Sequence, residues 1–542
     1  MSLTMYRNGS VYSAADPLAT AMLVDGDTVA WVGSEHAATS LLDSRMKVVD
    51  LGGTLITPGF VDSHVHVSET GLALSSLDLS SAKSATAALD LVAAVAATTD
   101  GMVLGHGWDD SAWPDAELWT AAALDRAAAG GEAYLARVDV HSALVSGALA
   151  QRLGLAALDG WDGSGKVRGA AHTAARDASR ALTAPQRDSV QRTALAHAAS
   201  NGYIALAEMS APHVGSPEDL AALMALTAGD AATAYPEILP YWGQAVSSAE
   251  EARTVLASLG TPVLGLAGDL NIDGSLGSRS ALLREPYADA PETSGLQYLT
   301  VDQVADHWTA TSELGLTGGF HVIGDGAMDV AIEGLLRAAS RVGIDKVRAA
   351  GHRLEHAEMV DASAMAVLAS HGVTVSLQPV FDAEWGGREG MYSRRLGTAR
   401  AAALNPLAKF YETGVPLCFG SDAPVTPLNP WASIRAALMH HEPAQRISTR
   451  AAFIGHTRAG WRAAKAADPM LGQLAPGAPA SFAIWEIEEL MVQVADERVQ
   501  SWSTDPRART PLLPALDTEN DPRCLQTVHK GRELFAAPDF QG

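Results

Sequence analysis

The stretch GFVDSHVHV (residues 59–67) ends an apolar run in two histidines, His64 and His66, spaced two apart. Side chains of an extended strand alternate between faces, so this pair leaves one side and could grip an ion. With 17 His in 542 residues one such pair is unsurprising by chance, so the weight falls on further ligands at other strand ends. GGFHVIGDGAMD places His321 after an apolar run and before a Gly-Asp-Gly turn, and GHRLEHAEM does the same for His356. In VPLCFGSDAP the bulky Leu417 and Phe419 alternate with Cys418, Gly420 and Asp422, and small residues belong inside a narrow barrel, so Asp422 is expected to point inward. Taken singly, a strand-end histidine is an ordinary polar residue and an SDAP run is a turn or a helix cap. Taken together, imidazole nitrogens and a carboxylate suit zinc, with a position left open for water. A metal held there would acidify that water, and a carboxylate beside it could take up the proton.

Residues so far apart in the chain need a scaffold that gathers strand ends. IALAEM (204–209), VLGLAGDL (263–270), GGFHVI (318–323), RLEHAE (353–358), GVTVSLQP (372–379) and VPLCFGSDAP (415–424) read as strands, separated by helical patterns such as AIEGLLRAASRVG. Strand followed by helix implies parallel pairing, and about eight such units in about 400 residues fit an α/β fold of the (β/α)8 TIM-like barrel type. The barrel is expected over 58–474, with an insertion at about 68–200 that is too long for one connection and should fold over the mouth. Both chain ends have a β grammar: MYRNGSVY, AMLVDGDTVAWVG and MKVVDLGGTLI at the start, SFAIWEI and CLQTVHKGREL at the end. NG and DG between such runs are hairpin signals. Residues 1–57 and 475–542 are therefore expected to build one small β-sandwich domain from both termini. STDPRARTPLLPALDTENDP reads as a long surface loop.

Composition narrows the partners. The chain is 47% hydrophobic and 18% charged, which is globular, and its 38 Lys+Arg against 62 Asp+Glu leave no basic stripe for nucleic acid or anionic membrane. No uncharged apolar run reaches 18 residues, the start lacks a signal-peptide pattern, and two cysteines, Cys418 and Cys524, suit a reducing compartment. The expectation is a cytoplasmic protein whose partners are a small-molecule substrate and, at most, a second copy in a homodimer. Trp108, Asp109 and Trp113 of GHGWDDSAWPD could line a substrate pocket, or be plain core. Gln378 shares strand parity with Thr374 and Ser376 and is a candidate for a substrate hydrogen bond.

The order of these blocks carries a resemblance. GGTLITPGFVDSHVH, GHGWDDSAWPD, DGSLGSRSALL, FHVIGDGAMD, HRLEHAE, SLQPVF, FGSDAPV and LGQLAPGAPASFAIWE each resemble, in order, a block of the metal-dependent amidohydrolase superfamily, in its YtcJ-like, N-substituted formamide deformylase-like branch (amidohydrolase family 3). Ser481 stands in the last block where the family usually has an acidic residue. The resemblance implies a metal-dependent hydrolase cleaving a carbon–nitrogen bond other than a peptide bond, in an N-acyl, N-formyl or related small molecule. A heterocycle deaminase or a catalytically silent metal-binding scaffold are the alternatives. It implies His64, His66, His321, His356 and Asp422 as metal ligands, Asp422 as the catalytic proton carrier, and Asp139 and His141 of ARVDVHSAL as supporting residues. Many relatives bridge two metals with a carboxylated lysine, and the matching position here is Asp269 in AGDLNIDGSLGS, which is too short for that role. Glu208 in IALAEMSAP is then the preferred extra ligand over Asp269, although Ile204 and Leu206 share its parity and would turn it outward unless the strand bulges. The consequence is one tightly bound Zn2+ and a second, weaker site.

Overall fold

The structure, a computed structural model, describes residues 3–98, 101–110, 113–138, 142–228, 235–493, 502–503, 511–517 and 520–540. It divides into two compact units, Met1–His66 with Leu195–Gly542, and Val67–Ala194.

Eight strands of the first unit form one sheet: β1 (Phe60–Val65), β2 (Tyr203–Ser210), β3 (Glu237–Trp242), β4 (Gly265–Leu266), β5 (Thr317–Val322), β6 (Arg353–His356), β7 (Thr374–Leu377) and β8 (Leu417–Phe419). Each pairs in parallel with the next. A parallel bridge from Val65 to Ala423 joins the last segment to the first, so the ring closes and no strand edge is left open. Helices supply the crossovers that parallel strands require. One of them, Val301–Leu314, starts at a reciprocal capping box between Thr300 and Gln303 and stops at Gly315 in the left-handed region.

Besides a small sheet of Trp502–Ser503, Leu490–Gln493 and Leu513–Pro514, the same unit holds two further sheets. Thr28–Gly33, Ala21–Asp25, Leu3–Arg7 and Lys47–Asp50 form one; Ser10–Val11, Leu55–Pro58, Phe482–Glu486, Arg523–His529 and Arg532–Ala536 form the other. Tyr6, Met22, Val24 and Val29 from the start of the chain share a buried core with Phe482, Ile484, Leu525 and Val528 from its end. The two ends of the chain thus pair with each other and bury side chains in one core.

The second unit is a five-stranded sheet in the order Lys166–Val167, Ala143–Val145, Ala133–Arg137, Val103–Trp108, Leu77–Asp78. Its strands are apolar on both faces. Leu135 and Leu144 belong to a cluster with Val92, Trp108 and Trp119, whereas Tyr134, Ala143 and Val145 belong to one with Leu149 and Ala171. The insertion after β1 therefore carries its own core.

Some local expectations change. Gly26 turns a hairpin at φ +60°, with Asp25 paired to Thr28. Asn8-Gly9 does not make one: the strand before it pairs in the first terminal sheet and the strand after it in the second. Glycine is required there by a close approach, since a Cβ on Gly9 would fall 2.6 Å from both Leu51 and the Thr54 carbonyl. Strand β3, EILPYW, was not among the expected strands, and β4 is shorter than its sequence run, ending before Gly268 at φ +96°. Within the expected C-terminal loop, Leu513–Pro514 pairs with Leu490–Gln493. Asp139 and His141 lie outside the described residues. No helix among the described residues is long and apolar enough to cross a membrane.

Candidate metal centre

Parallel strands in a closed ring all end on the same side, so residues just past those ends converge. His64 and His66 close β1, with Nε2 atoms 3.4 and 3.3 Å from Asp422 Oδ1. Asp269, beyond β4, brings Oδ1 to 3.5 Å from His64 Nε2 and Oδ2 to 3.2 Å from His66 Nε2. The His356 ring lies 5.0 Å from that of His64 and 4.5 Å from that of His321. Among the described residues, two sets of ligand atoms lie within 4.8 Å of one another: His64, His356 and Asp422, and His64, His66 and Asp269.

Backbone geometry aims these groups. Asp422 has φ +56° and His356 φ +68°, a region that residues with a Cβ enter at a cost of about 1–3 kcal/mol. Neighbours on a regular strand point to opposite faces. At the end of β6 the left-handed turn lets Glu355 and His356 both reach the His64 ring, the first through a 2.8 Å contact to Nδ1. Glycine at 420 is what brings β8 so close to β1, because a Cβ there would sit 2.5 Å from His64 N. Asp62 fastens the same junction, accepting from the backbone N–H of His64 at 3.1 Å and of Ser421 at 3.0 Å.

The donor set fits a divalent ion. His64 Nε2 and Asp269 Oδ1 are buried and make no hydrogen bond, an arrangement that costs stability unless another partner is supplied. Burial opposes charge on His64, yet the carboxylates of Asp422, Glu355 and Asp269 outweigh it and push the imidazole up to about 10. His66 is likewise raised well above its ordinary value against its burial by Asp269 and Asp422. Burial would raise Asp422 and Asp269, but the facing imidazoles hold both far below the usual carboxylate range. Without metal, the centre balances two imidazolium protons against two carboxylates, and one divalent cation could replace both protons at the same net charge. Because the histidine values are raised, proton competition persists through neutral pH, grows as pH falls and fades only as pH rises towards about 10. Zinc binding at pH 7.5 should therefore release about two protons per ion, with apparent affinity climbing with pH. Calorimetry in two buffers of different ionisation enthalpy measures this; zero release would contradict it.

The remaining expected site residues fall elsewhere. Glu208 is not among the grouped ligand atoms; its Oε1 accepts from Ser210 Oγ at 2.8 Å. Asp269 rather than Glu208 thus lies in the grouped ligand atoms, opposite to the preference stated above, and strand parity accounts for the placement. Met209, paired with Tyr241, approaches Gly268 and the β4 end, and Glu208 follows Leu206 and Ile204 on the alternate positions. The strand does shift register between Leu206 and Glu208, but the shift does not add Glu208 to the cluster. Gln378, expected to offer a hydrogen bond to substrate, presents its amide oxygen to His356 Nδ1 at 2.8 Å and braces that ring. Trp108 is core of the second unit: it is 2% exposed, and its indole N–H donates to the Leu135 carbonyl at 2.8 Å. Asp109, in the same unit, accepts from Arg137.

Sequence reasoning missed the residues that hold the histidines. Glu355 stands on His64 Nδ1, and Asp273 Oδ1 lies 3.6 Å from His321 Nδ1 while its carboxylate also accepts from the N–H groups of Leu282, Ile323 and Gly324. A signal was present in HRLEHAE, where a buried charge directly precedes a ligand histidine, and in the acidic residue of the DGSLGS block.

A closed parallel barrel with imidazoles and carboxylates converging at one end is an architecture that can hold a metal ion for hydrolysis. The chain belongs to the amidohydrolase family, which it matches over residues 47–535. It is 26% identical over 415 residues to the protein named "Putative amidohydrolase YtcJ" of Bacillus subtilis (strain 168), covering 72% of this chain and 74% of that one. It is 23% identical over 466 residues to the N-substituted formamide deformylase of Arthrobacter pascens, covering 80% and 84%. Among solved structures, an uncharacterized metal-dependent hydrolase from Pyrococcus furiosus superposes with a TM-score of 0.72 at 26% identity, over 89% of this chain and 98% of that one.

Proposed function

We propose that this hydrolase cleaves the carbon–nitrogen bond of a small N-formyl or N-acyl compound, with zinc as its metal. The observation that carries the reading is the convergence of His64, His66, His356, Asp269 and Asp422 in one buried centre, with His321 beside them. Their nitrogen and oxygen donors suit zinc. A bound zinc ion would supply Lewis acidity and lower the pKa of water.

The chain's own residues do the rest. Asp422 Oδ1 faces both imidazoles of the HxH pair, which leaves Oδ2 to take a proton from the attacking water. As water oxygen bonds to the carbonyl carbon and the carbon–nitrogen bond breaks, Asp422 returns that proton to the departing nitrogen. Glu355 and Gln378 fix the rings of His64 and His356 while this happens. Nearness to a formamide deformylase in sequence supports an N-formyl substrate. The two cysteines are buried and free, which supports a reducing compartment, the cytoplasm.

Zinc-loaded protein should release amine from N-substituted formamides or N-acetyl amines faster than from cyclic amides. Ammonia release from heterocycles, with no turnover of the open-chain amides, would replace this reading with deamination.

A further inference from the structure

The barrel interior holds a buried charged pair whose arginine is neither a metal ligand nor a proton carrier. Arg353, at the start of β6, is 1% exposed, and Glu355, two residues on, is fully buried. Arg353 Nε donates to Glu355 Oε1 at 2.5 Å, and Nη2 donates to Glu355 Oε2 at 3.0 Å and to the Ser63 carbonyl at 2.7 Å. The guanidinium lies 4.7 Å from the ring centroid of Tyr241. Glu355 Oε2 in turn takes the Nδ1–H of His64 at 2.8 Å.

One guanidinium thus holds both the backbone just before His64 and the carboxylate on its ring. A hydrogen bond at Nδ1 commits the ring proton there and leaves Nε2, the atom facing Asp269 and Asp422, as the lone-pair donor. Burying two charges is costly, and replacing such a pair by apolar residues of similar volume is often neutral or stabilising, so fold stability alone does not explain it.

We propose that Arg353 and Glu355 are positioning residues for the metal: together they fix the tautomer and direction of His64, and so set how tightly the centre binds zinc. This rests on the metal-centre reading above.

The test uses the full chain and zinc, with affinity measured by competition against a chromophoric chelator and stability by urea denaturation. Glu355→Gln and Arg353→Lys should each weaken zinc binding about 10–100-fold. The double variant Arg353→Met with Glu355→Leu should regain stability near wild type and still bind zinc about 10–100-fold more weakly, since nothing then orients His64. A purely structural pair would instead let affinity return with stability, and that result would overturn the proposal. Should these variants fail to fold, 15N spectra of histidine-labelled, zinc-loaded wild type decide: the His64 signal should be protonated at Nδ1, and protonation at Nε2 would overturn the assignment. Wild type that takes up no zinc would sink the metal-centre reading itself, a failure distinct from variants that match a zinc-binding wild type.

Discussion

Asp422→Asn should yield a folded chain that keeps much of its metal and loses turnover by about 10²–10⁴-fold, the contribution expected of a positioned proton carrier. Asparagine has the same shape, and it is among the few side chains that tolerate the left-handed backbone that residue 422 adopts at φ +56°. The backbone bond from Asp422 N to the His64 carbonyl, 2.8 Å, does not depend on the side chain and should survive. What disappears is an oxygen able to take and return a proton. The carboxyl is held well below the usual range, so it is ionised across neutral pH and its contribution is lost only as pH falls through that depressed value. The residual rate of the variant should therefore be independent of any ionisation at residue 422, while the acid loss that comes from proton competition at the histidines remains. Near wild-type hydrolysis would reduce Asp422 to a ligand and require another base.

Much of this centre was legible before any coordinates. The HxH pair, the single histidines after GGF and RLE, and the small-residue parity of VPLCFGSD all rely on strand alternation, and strands end where those runs end. Two kinds of feature were not legible. Left-handed backbone at His356 overrides alternation, so Glu355 and His356 both serve the site although parity separates them. Strand β3 carries Pro240, a residue that argues against a central strand, yet it pairs there with Glu208 of β2. The choice between Glu208 and Asp269 shows a third limit. Desolvation of a carboxylate among apolar neighbours argued for Glu208, and parity argued against it; parity prevailed. Histidine type alone is no guide either: His352, four residues before His356, is a neutral core histidine between Ser312 Oγ and the Gly318 N–H, lowered to about 3 by burial.

Metal content after purification tests the central claim most directly. The Nε2 atoms of His64 and His66 each stand within 3.5 Å of an oxygen of Asp269 and of Asp422, and both sets of three ligand atoms contain His64, so removal of the two imidazoles at once leaves neither set. Elemental analysis of wild type should find at least about one divalent transition metal per chain, zinc foremost. His64→Ala with His66→Ala should remove it, Asp269→Asn should lower it clearly, and Glu208→Gln should leave it unchanged. Metal-free wild type reconstituted with excess zinc and still empty, or a double alanine variant with wild-type content, would contradict the account.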